Sequence, residues 1–381
     1  MSLQPVQRTG AYALITDSNG RVLLVRASAR SDLRGRWFLP GGGLRHGEHP
    51  RDAALRELLE ETGLRATRAT PREATADVVD LPHRGVSVHT LRLIYDVRFA
   101  DLTGGGPASR WRGARAGRAA RAERGARSES GSEPTLLLRS ELDGTSDLAR
   151  FVDPDEITDL PLMPFVAELL GLAEPEPLLP VPPERPEPLM VEGEPEPRPV
   201  DPVLDELNDV EIVDQPNPAE VPILVQRPAA YAVLIDETPA PRKGKRMLLT
   251  RLAESRMPGR KGTWTLPGGG IDHGEHPLAA LEREVYEETG LPYTVGPLLD
   301  IGSRHFIGRA PSGRLEDFHG LRLVYAGSVP VDLPPQVIEV GGSTDAAAWI
   351  PVGELGRINT VSAVRESYAT WSERRARSNP G

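Results

Sequence analysis

Three glutamates at spacing i, i+3 and i+4 occur twice in this chain, as Glu57, Glu60 and Glu61 and again as Glu284, Glu287 and Glu288. At about 100° of rotation per residue, these positions share one face of a helix. Like charges so placed repel by roughly a few tenths of a kcal/mol even when exposed. A compensating cation is therefore expected. Hard divalent ions with oxygen ligands fill that role, and Mg²⁺ binds through a few carboxylates together with substrate phosphates. The chemistry to expect is metal-assisted work on a phosphate group, with Mn²⁺ as an alternative ion.

A helix must present those carboxylates, and its ends are visible in the sequence. Pro50 and Pro277 each follow His-Gly-Glu-His, where a fixed φ suits the first helical position. Gly63 and Gly290 fit a left-handed C-terminal cap. The opposite face is apolar, with Ala54, Leu55, Leu58 and Leu59 in the first copy and Ala280, Leu281 and Val285 in the second. Arg56 and Arg283 stand beside the glutamates, where a guanidinium fork holds carboxylates in a fixed orientation. Glu48 and Glu275, just before the helix, are their expected partners. The glycine runs 41–43 and 268–270 permit a tight loop whose backbone approaches a phosphate or metal. His46 with His49, and His273 with His276, are spaced His-x-x-His. His49 and His276 take the cap position before proline, which argues against histidine ligation of a metal.

The pattern from Gly42 to Leu64 recurs complete from Gly269 to Leu291. Joined at fixed spacing and repeated, its residues resemble the Nudix box. The resemblance implies Mg²⁺-dependent cleavage of the phosphoanhydride in a nucleoside diphosphate linked to X, by an activated water. The implied metal set is Glu57, Glu60, Glu61 and the Gly41 carbonyl in one copy, and Glu284, Glu287, Glu288 and the Gly268 carbonyl in the other. Which glutamate is the general base differs within the family and stays open.

The repeat extends beyond the box. Gln7-Arg8 and AYALITD at 11–17 match Gln226-Arg227 and AYAVLID at 230–236; VLLVR at 22–26 matches MLLTR at 247–251. Trp37 and Trp264 precede each Leu-Pro-Gly-Gly-Gly. HTLRLIY at 89–95 matches HGLRLVY at 319–325, and GTSDLARFV at 144–152 matches GSTDAAAWI at 342–350. Each half thus reads as strands, box helix, strands and a final helix. The expected class is α/β, two tandem Nudix folds, each an α/β/α sandwich with a mixed β-sheet.

Length and composition bound the organisation. The 381 residues suit two or three domains. We expect a first domain over 1–172, a linker over 173–222 and a second domain over 223–375. Residues 174–220 are dense in Pro and Glu and carry a charge of −12, so the net −10 leaves the rest near +2. Global acidity therefore says nothing against anionic ligands. A spacer of this composition is extended and semi-rigid, and it leaves the two copies free to act separately. The first half carries an insert over 104–134 with arginine at every third residue from Arg112 to Arg127. Its composition favours a disordered, solvated loop over an RNA-binding element. There is no cysteine, hence no disulfide, thiol nucleophile or thiolate site. No apolar stretch is long enough to span a membrane, and a cytoplasmic location is the simplest expectation.

Paired residues outside the box leave alternatives open. Asp147 and Asp345 stand where many Nudix enzymes place a further acid for metal or water, or they serve a turn. Arg92 and Arg322 either meet phosphate or are strand-surface cations, the second being favoured. Trp37 and Trp264 either stack on a base or pack in the core, and packing is favoured. The family's usual ADP-ribose and dinucleoside-polyphosphate markers are absent, since Val79 and Phe306, then Leu81 and Gly308, occupy those positions. A nucleoside triphosphate or NDP-sugar is the least committed substrate. The alternative is one catalytic domain joined to a nucleotide-binding or scaffolding one. Isopentenyl diphosphate isomerase chemistry relies on a cysteine this chain lacks.

Overall fold

The computed structural model describes residues 3–98, 136–137, 145–173, 211–212, 220–238, 244–253, 262–310 and 312–378. The arginine-rich insert and nearly all of the Pro/Glu-rich segment lie outside the described residues. In the first half, β1 (Gln4–Leu14), β2 (Val22–Ala27), β3 (Trp37–Phe38) and β4 (Gly41–Gly43) precede helix α1 (Pro50–Thr62). Then come β5 (Arg68–Leu81), β6 (Val86–Arg98), β7 (Leu136–Leu137), β8 (Ser146–Val152) and α2 (Pro164–Leu169). The second half opens with β9 (Glu211–Ile212) and repeats the plan. It runs through β10 (Ile223–Asp236), β11 (Arg246–Leu252), β12 (Trp264–Thr265), β13 (Gly268–Gly270) and α3 (Pro277–Thr289). It ends with β14 (Thr294–Arg309), β15 (Leu315–Ser328), β16 (Thr344–Pro351) and α4 (Ser362–Ser378).

The sheets are mixed, as expected. β1 pairs parallel with β6 and β10 parallel with β15, while the remaining ladders are antiparallel. Period-two alternation explains the layering. On β1, Ala11 and Ala13 face a cluster that includes Ala53, Ala54 and Leu58 of α1, whereas Tyr12 and Leu14 face Phe165, Val166 and Leu170 on the other side. On β10, Ala230, Ala232 and Leu234 face α3, and Tyr231 and Val233 face the side covered by Val364 of α4. Strands buried on both faces read as continuous apolar runs, which is why AYALI and AYAVLI stand out in the sequence.

The box helices begin and end where their cap residues dictate. His49 Nδ1 accepts from the Arg51 N–H at 3.1 Å, and His276 Nδ1 accepts from the Leu278 N–H at 3.2 Å. Gly63 and Gly290 close them at φ 75° and 67°. No helix among the described residues is long and apolar enough to cross a membrane.

The two halves meet. The apolar clusters beneath α1 and α3 join into one core, and β5 lies against β14. The loop before the second box helix reaches the sheet of the first half: Gln7 donates to the Ile271 carbonyl at 3.4 Å, and the His89 and His273 rings meet edge to face at 5.5 Å. The pairing differs from the separable arrangement that the spacer suggests, because apolar faces left over by each half are buried against the other.

His89 is fully buried at this seam, and its pKa falls to about 4 through burial and the neighbouring His273, against the opposing charges of Asp77 and Glu275. A histidine held below its ordinary value binds fewer protons folded than unfolded. Its stabilising contribution is complete above about pH 6.5 and is lost as pH falls towards 4, a span on the order of 3 kcal/mol. Thermal unfolding measured from pH 7 to pH 4 should therefore show a shallower loss of stability in His89→Phe than in the wild type. Equal slopes would remove His89 as the source.

Candidate functional site

Each box arginine gathers its neighbouring carboxylates. Arg56 donates to Glu48 at 2.8 and 2.9 Å, to Glu57 at 2.7 Å, to Glu60 at 2.9 Å and to the Gly43 carbonyl at 3.1 Å. Arg283 does the same with Glu275 at 3.0 Å, Glu284 at 2.5 Å, Glu287 at 3.2 Å and the Gly270 carbonyl at 3.1 Å. Burial raises the Glu48 and Glu275 carboxyls, but hydrogen bonds from the arginines outweigh it and hold both below the usual range. Burial wins at Glu57, whose pKa is pushed up despite Arg56.

The third glutamates are fixed from the other side. Glu61 accepts from the Gly41 N–H at 2.9 Å and from the Ser146 hydroxyl; Glu288 accepts from the Gly268 N–H at 3.0 Å and from the Thr344 hydroxyl. Gly41 and Gly268 lie at φ 156° and 134°, and a Cβ on them would fall 2.4 Å from the Ala11 carbonyl and 2.1 Å from the Ala230 carbonyl. At Gly42 and Gly269 a Cβ would strike the Glu57 and Glu284 carboxylates at 2.7 and 2.6 Å. The glycine run is what lets the loop lie against the helix face. Glu57, Glu60, Glu61 and Gly41 are thus brought together, as are Glu284, Glu287, Glu288 and Gly268. The donor set is oxygen only, and Glu57 is a half-buried carboxylate whose charged form is disfavoured by desolvation despite Arg56. Those properties fit a hard divalent cation.

Asp147 and Asp345 are not brought to these carboxylates. Asp147 pairs with Arg26 at 2.8 Å and Asp345 with Arg251 at 2.7 Å, both partly exposed. Strand alternation is the reason: Ser146 and Thr344, one residue earlier, face inward and hold Glu61 and Glu288. The repeated Gly-Thr-Ser and Gly-Ser-Thr were the available signal. Trp37 packs in the core of the first half, 5% exposed, and Trp264 is partly buried against the second core.

Arg92 is not a surface cation, contrary to the sequence expectation. It is buried, donates to the Tyr12 hydroxyl at 2.6 Å and to Asp77 at 2.9 and 3.0 Å, and lies 4.5 Å over the Phe165 ring. The register of β5 on β6 and of β14 on β15 makes Arg304 the counterpart of Asp77, and Gly302 the counterpart of Thr75. The backbone bonds of Met163 and Val361 to the matching tryptophans make Ala363 the counterpart of Phe165. The outcome is asymmetric. In the second half a cavity of about 340 Å³ opens, lined by Tyr231, Gly302, Arg304, Arg322 and Ala363 among others. It adjoins the box, because Tyr231 pairs with Gly268 in the strand register. In the first half, Phe165 and the Arg92–Asp77 pair occupy the equivalent place. A second contrast lies at the carboxylates, where Arg45 approaches Glu60 at 3.5 Å while its counterpart is Asp272.

With the doubled site and its sandwich in place, comparison with known proteins defines the class. The NUDIX domain family model matches residues 6–106 and 225–371, so the chain belongs to the Nudix family, and its enzyme class is that of the Nudix pyrophosphohydrolases. An RNA pyrophosphohydrolase of Mesorhizobium japonicum is 35% identical over 122 residues, covering 28% of this chain and 67% of that protein. An 8-oxo-dGTP diphosphatase of Proteus vulgaris is 35% identical over 78 residues, covering 20% of this chain and 68% of that protein. The match to an RNA pyrophosphohydrolase of Bartonella quintana, 42% identical over 65 residues, covers 17% of this chain and 38% of that protein. Among solved structures, a MutT NUDIX hydrolase from Burkholderia pseudomallei aligns at 24% identity and TM-score 0.29, over 38% of this chain and 98% of that one.

Proposed function

We propose that the chain hydrolyses a phosphoanhydride in a nucleoside triphosphate or a nucleoside diphosphate linked to X, using Mg²⁺ or Mn²⁺, with turnover in the second half. The observation that carries this reading is the cavity beside the second box, where two arginines stand in place of the sealed Arg92–Asp77 pair. Arg304 and Arg322 offer positive charge to phosphate oxygens, and the glycine at 302 leaves room for the nucleotide. The relatives' names, RNA pyrophosphohydrolase and 8-oxo-dGTP diphosphatase, support a phosphoanhydride at a nucleotide. Glu284, Glu287, Glu288 and the Gly268 carbonyl would hold the cation. When bound, that ion supplies charge neutralisation on the phosphates and lowers the pKa of a water. Arg283 keeps Glu284 and Glu287 oriented, and the Gly268 N–H with the Thr344 hydroxyl orients Glu288. The first half keeps Glu57, Glu60 and Glu61 but sets Phe165 and the Arg92–Asp77 pair at the place equivalent to the cavity, which favours a scaffolding role for it.

The cavity is testable by importing the first half's plug. Ala363→Phe should lower kcat/KM by about 10- to 100-fold, mostly through KM, because the ring excludes substrate without touching the carboxylates. The assay is pyrophosphate or phosphate release with Mg²⁺ across a panel of nucleoside triphosphates and NDP-sugars, with Tm as the folding control. Unchanged kinetics in a folded variant would place the substrate elsewhere. No turnover of any substrate by the wild type would sink the enzyme reading.

A further inference from the structure

The loop before the first box helix carries His46 into the second half, where it meets two other ligand-type side chains. His46 Nε2 lies 3.1 Å from Asp317 Oδ1, and His305 Nε2 lies 2.5 Å from the same oxygen. One ligand atom from each of the three falls within 4.8 Å of the others. At Zn–N and Zn–O bond lengths of about 2.0–2.2 Å, tetrahedral ligand atoms stand roughly 3.4 Å apart. The cluster is therefore within a small side-chain adjustment of ligation. The His46 and Asp317 side chains are 9% and 19% exposed, whereas His305 is 43% exposed, which leaves one open side. His46 Nδ1 is buried without a hydrogen-bond partner. The loop is pressed onto the site, since a Cβ at Gly47 would fall 2.7 Å from His305 Nδ1. His319 lies alongside, its ring 5.6 Å from that of His46, and is itself bonded to Gln226 and Ser303.

The internal repeat supplies a control. At the equivalent seam position, the counterparts of His46, His305 and Asp317 are His273, Val78 and Ser87, by the register of the paired strands. Packing the seam thus requires neither the second histidine nor the acid. Both appear on one side only, and there they converge with a histidine from the other half.

We propose that His46, His305 and Asp317 form a transition-metal site that joins the two halves, selective for Zn²⁺-type ions over the Mg²⁺-type ions suited to the box. Two imidazoles and one carboxylate are the ligands such borderline ions prefer, whereas hard ions prefer oxygen alone. The site does not depend on the catalytic reading, because none of its ligands belongs to either box carboxylate set.

The test uses the untagged full chain, titrated with Co²⁺ and, by equilibrium dialysis, with Zn²⁺ in excess Mg²⁺. The expected result is one tight equivalent per chain, the strong visible absorption of imidazole-bound Co²⁺ in low coordination, and a Zn²⁺-dependent rise in Tm. His305→Ala and Asp317→Asn should each weaken that equivalent by at least about 100-fold, more than the loss of an outer-shell partner, and abolish the Tm response. His305 is the most exposed of the three ligands, so its variant should keep the fold, checked by circular dichroism. Zn²⁺ affinity and Tm response equal to wild type in a folded His305→Ala chain would overturn the proposal, as would absence of the tight equivalent in the wild type.

Discussion

Glu287→Gln should cost at least about 100-fold in turnover, while Glu60→Gln leaves most of the activity in place. The change removes one negative charge and no heavy-atom volume, so the helix and its packing persist. Glu287 stands on the exposed rim of the α3 carboxylates, held by Arg283 at 3.2 Å. Charge stabilisation by a bound metal amounts to several kcal/mol at a developing phosphate charge, and each 1.36 kcal/mol is about tenfold in rate. Losing one of the carboxylates proposed to hold the ion should forfeit a large part of that. Glu60 occupies the matching place in the half where Phe165 and the Arg92–Asp77 pair stand at the position equivalent to the cavity. The measurement is initial rate at saturating nucleotide and several Mg²⁺ concentrations, for both single variants and the double. If Glu60→Gln alone abolishes turnover, the first half is the catalytic one. If each single variant removes about half, both halves work.

Phe165→Ala should destabilise the chain by about 3–5 kcal/mol, the usual cost of deleting a buried phenyl ring. The ring is 3% exposed, lies 5.1 Å from the Tyr12 ring and has the Arg92 guanidinium above it at 4.5 Å. Its loss removes apolar contacts and a cation–π partner together, and it opens space next to an arginine whose charge was compensated in a dry setting. Denaturant unfolding with fitted m-values gives the loss directly. A cost below about 1 kcal/mol would show that α2 does not seal this place. A nucleotide that newly raises the Tm of the variant, through Arg92, would identify the plug as what keeps the first half from taking substrate.

The box was legible because its constraints are local. Proline at the first helical position, histidine at the cap, glycine at the left-handed terminus and arginine four residues before the second glutamate all act within a few turns, and each appears where the spacing puts it. Ser146 and Thr344 left only an ambiguous trace in the repeated Gly-Thr-Ser and Gly-Ser-Thr, because a hydroxyl beside an aspartate reads as a turn until strand pairing shows which of the two faces inward. Arg92 misled for a related reason. Its strand alternates as a half-buried one would, but Asp77 comes from β5 and Phe165 from α2, and a one-strand pattern contains neither. The difference between Phe165, which packs against Arg92, and Ala363, which lines the second-half cavity, carries no motif at all. The seam lay further out of reach, since His46 and Asp317 are 271 positions apart and nothing local links them.

β9 is only two residues long, yet it caps the far end of β14, where Gly308 pairs with Ile212 and Arg309 with Glu211. An uncovered rim offers free N–H and C=O groups to any passing strand, including one from another copy. The tail of the Pro/Glu-rich segment therefore works as a guard strand as well as a tether. Cutting the chain after residue 212 to separate the halves would strip that guard and bare the end of β14 at Gly308 and Arg309.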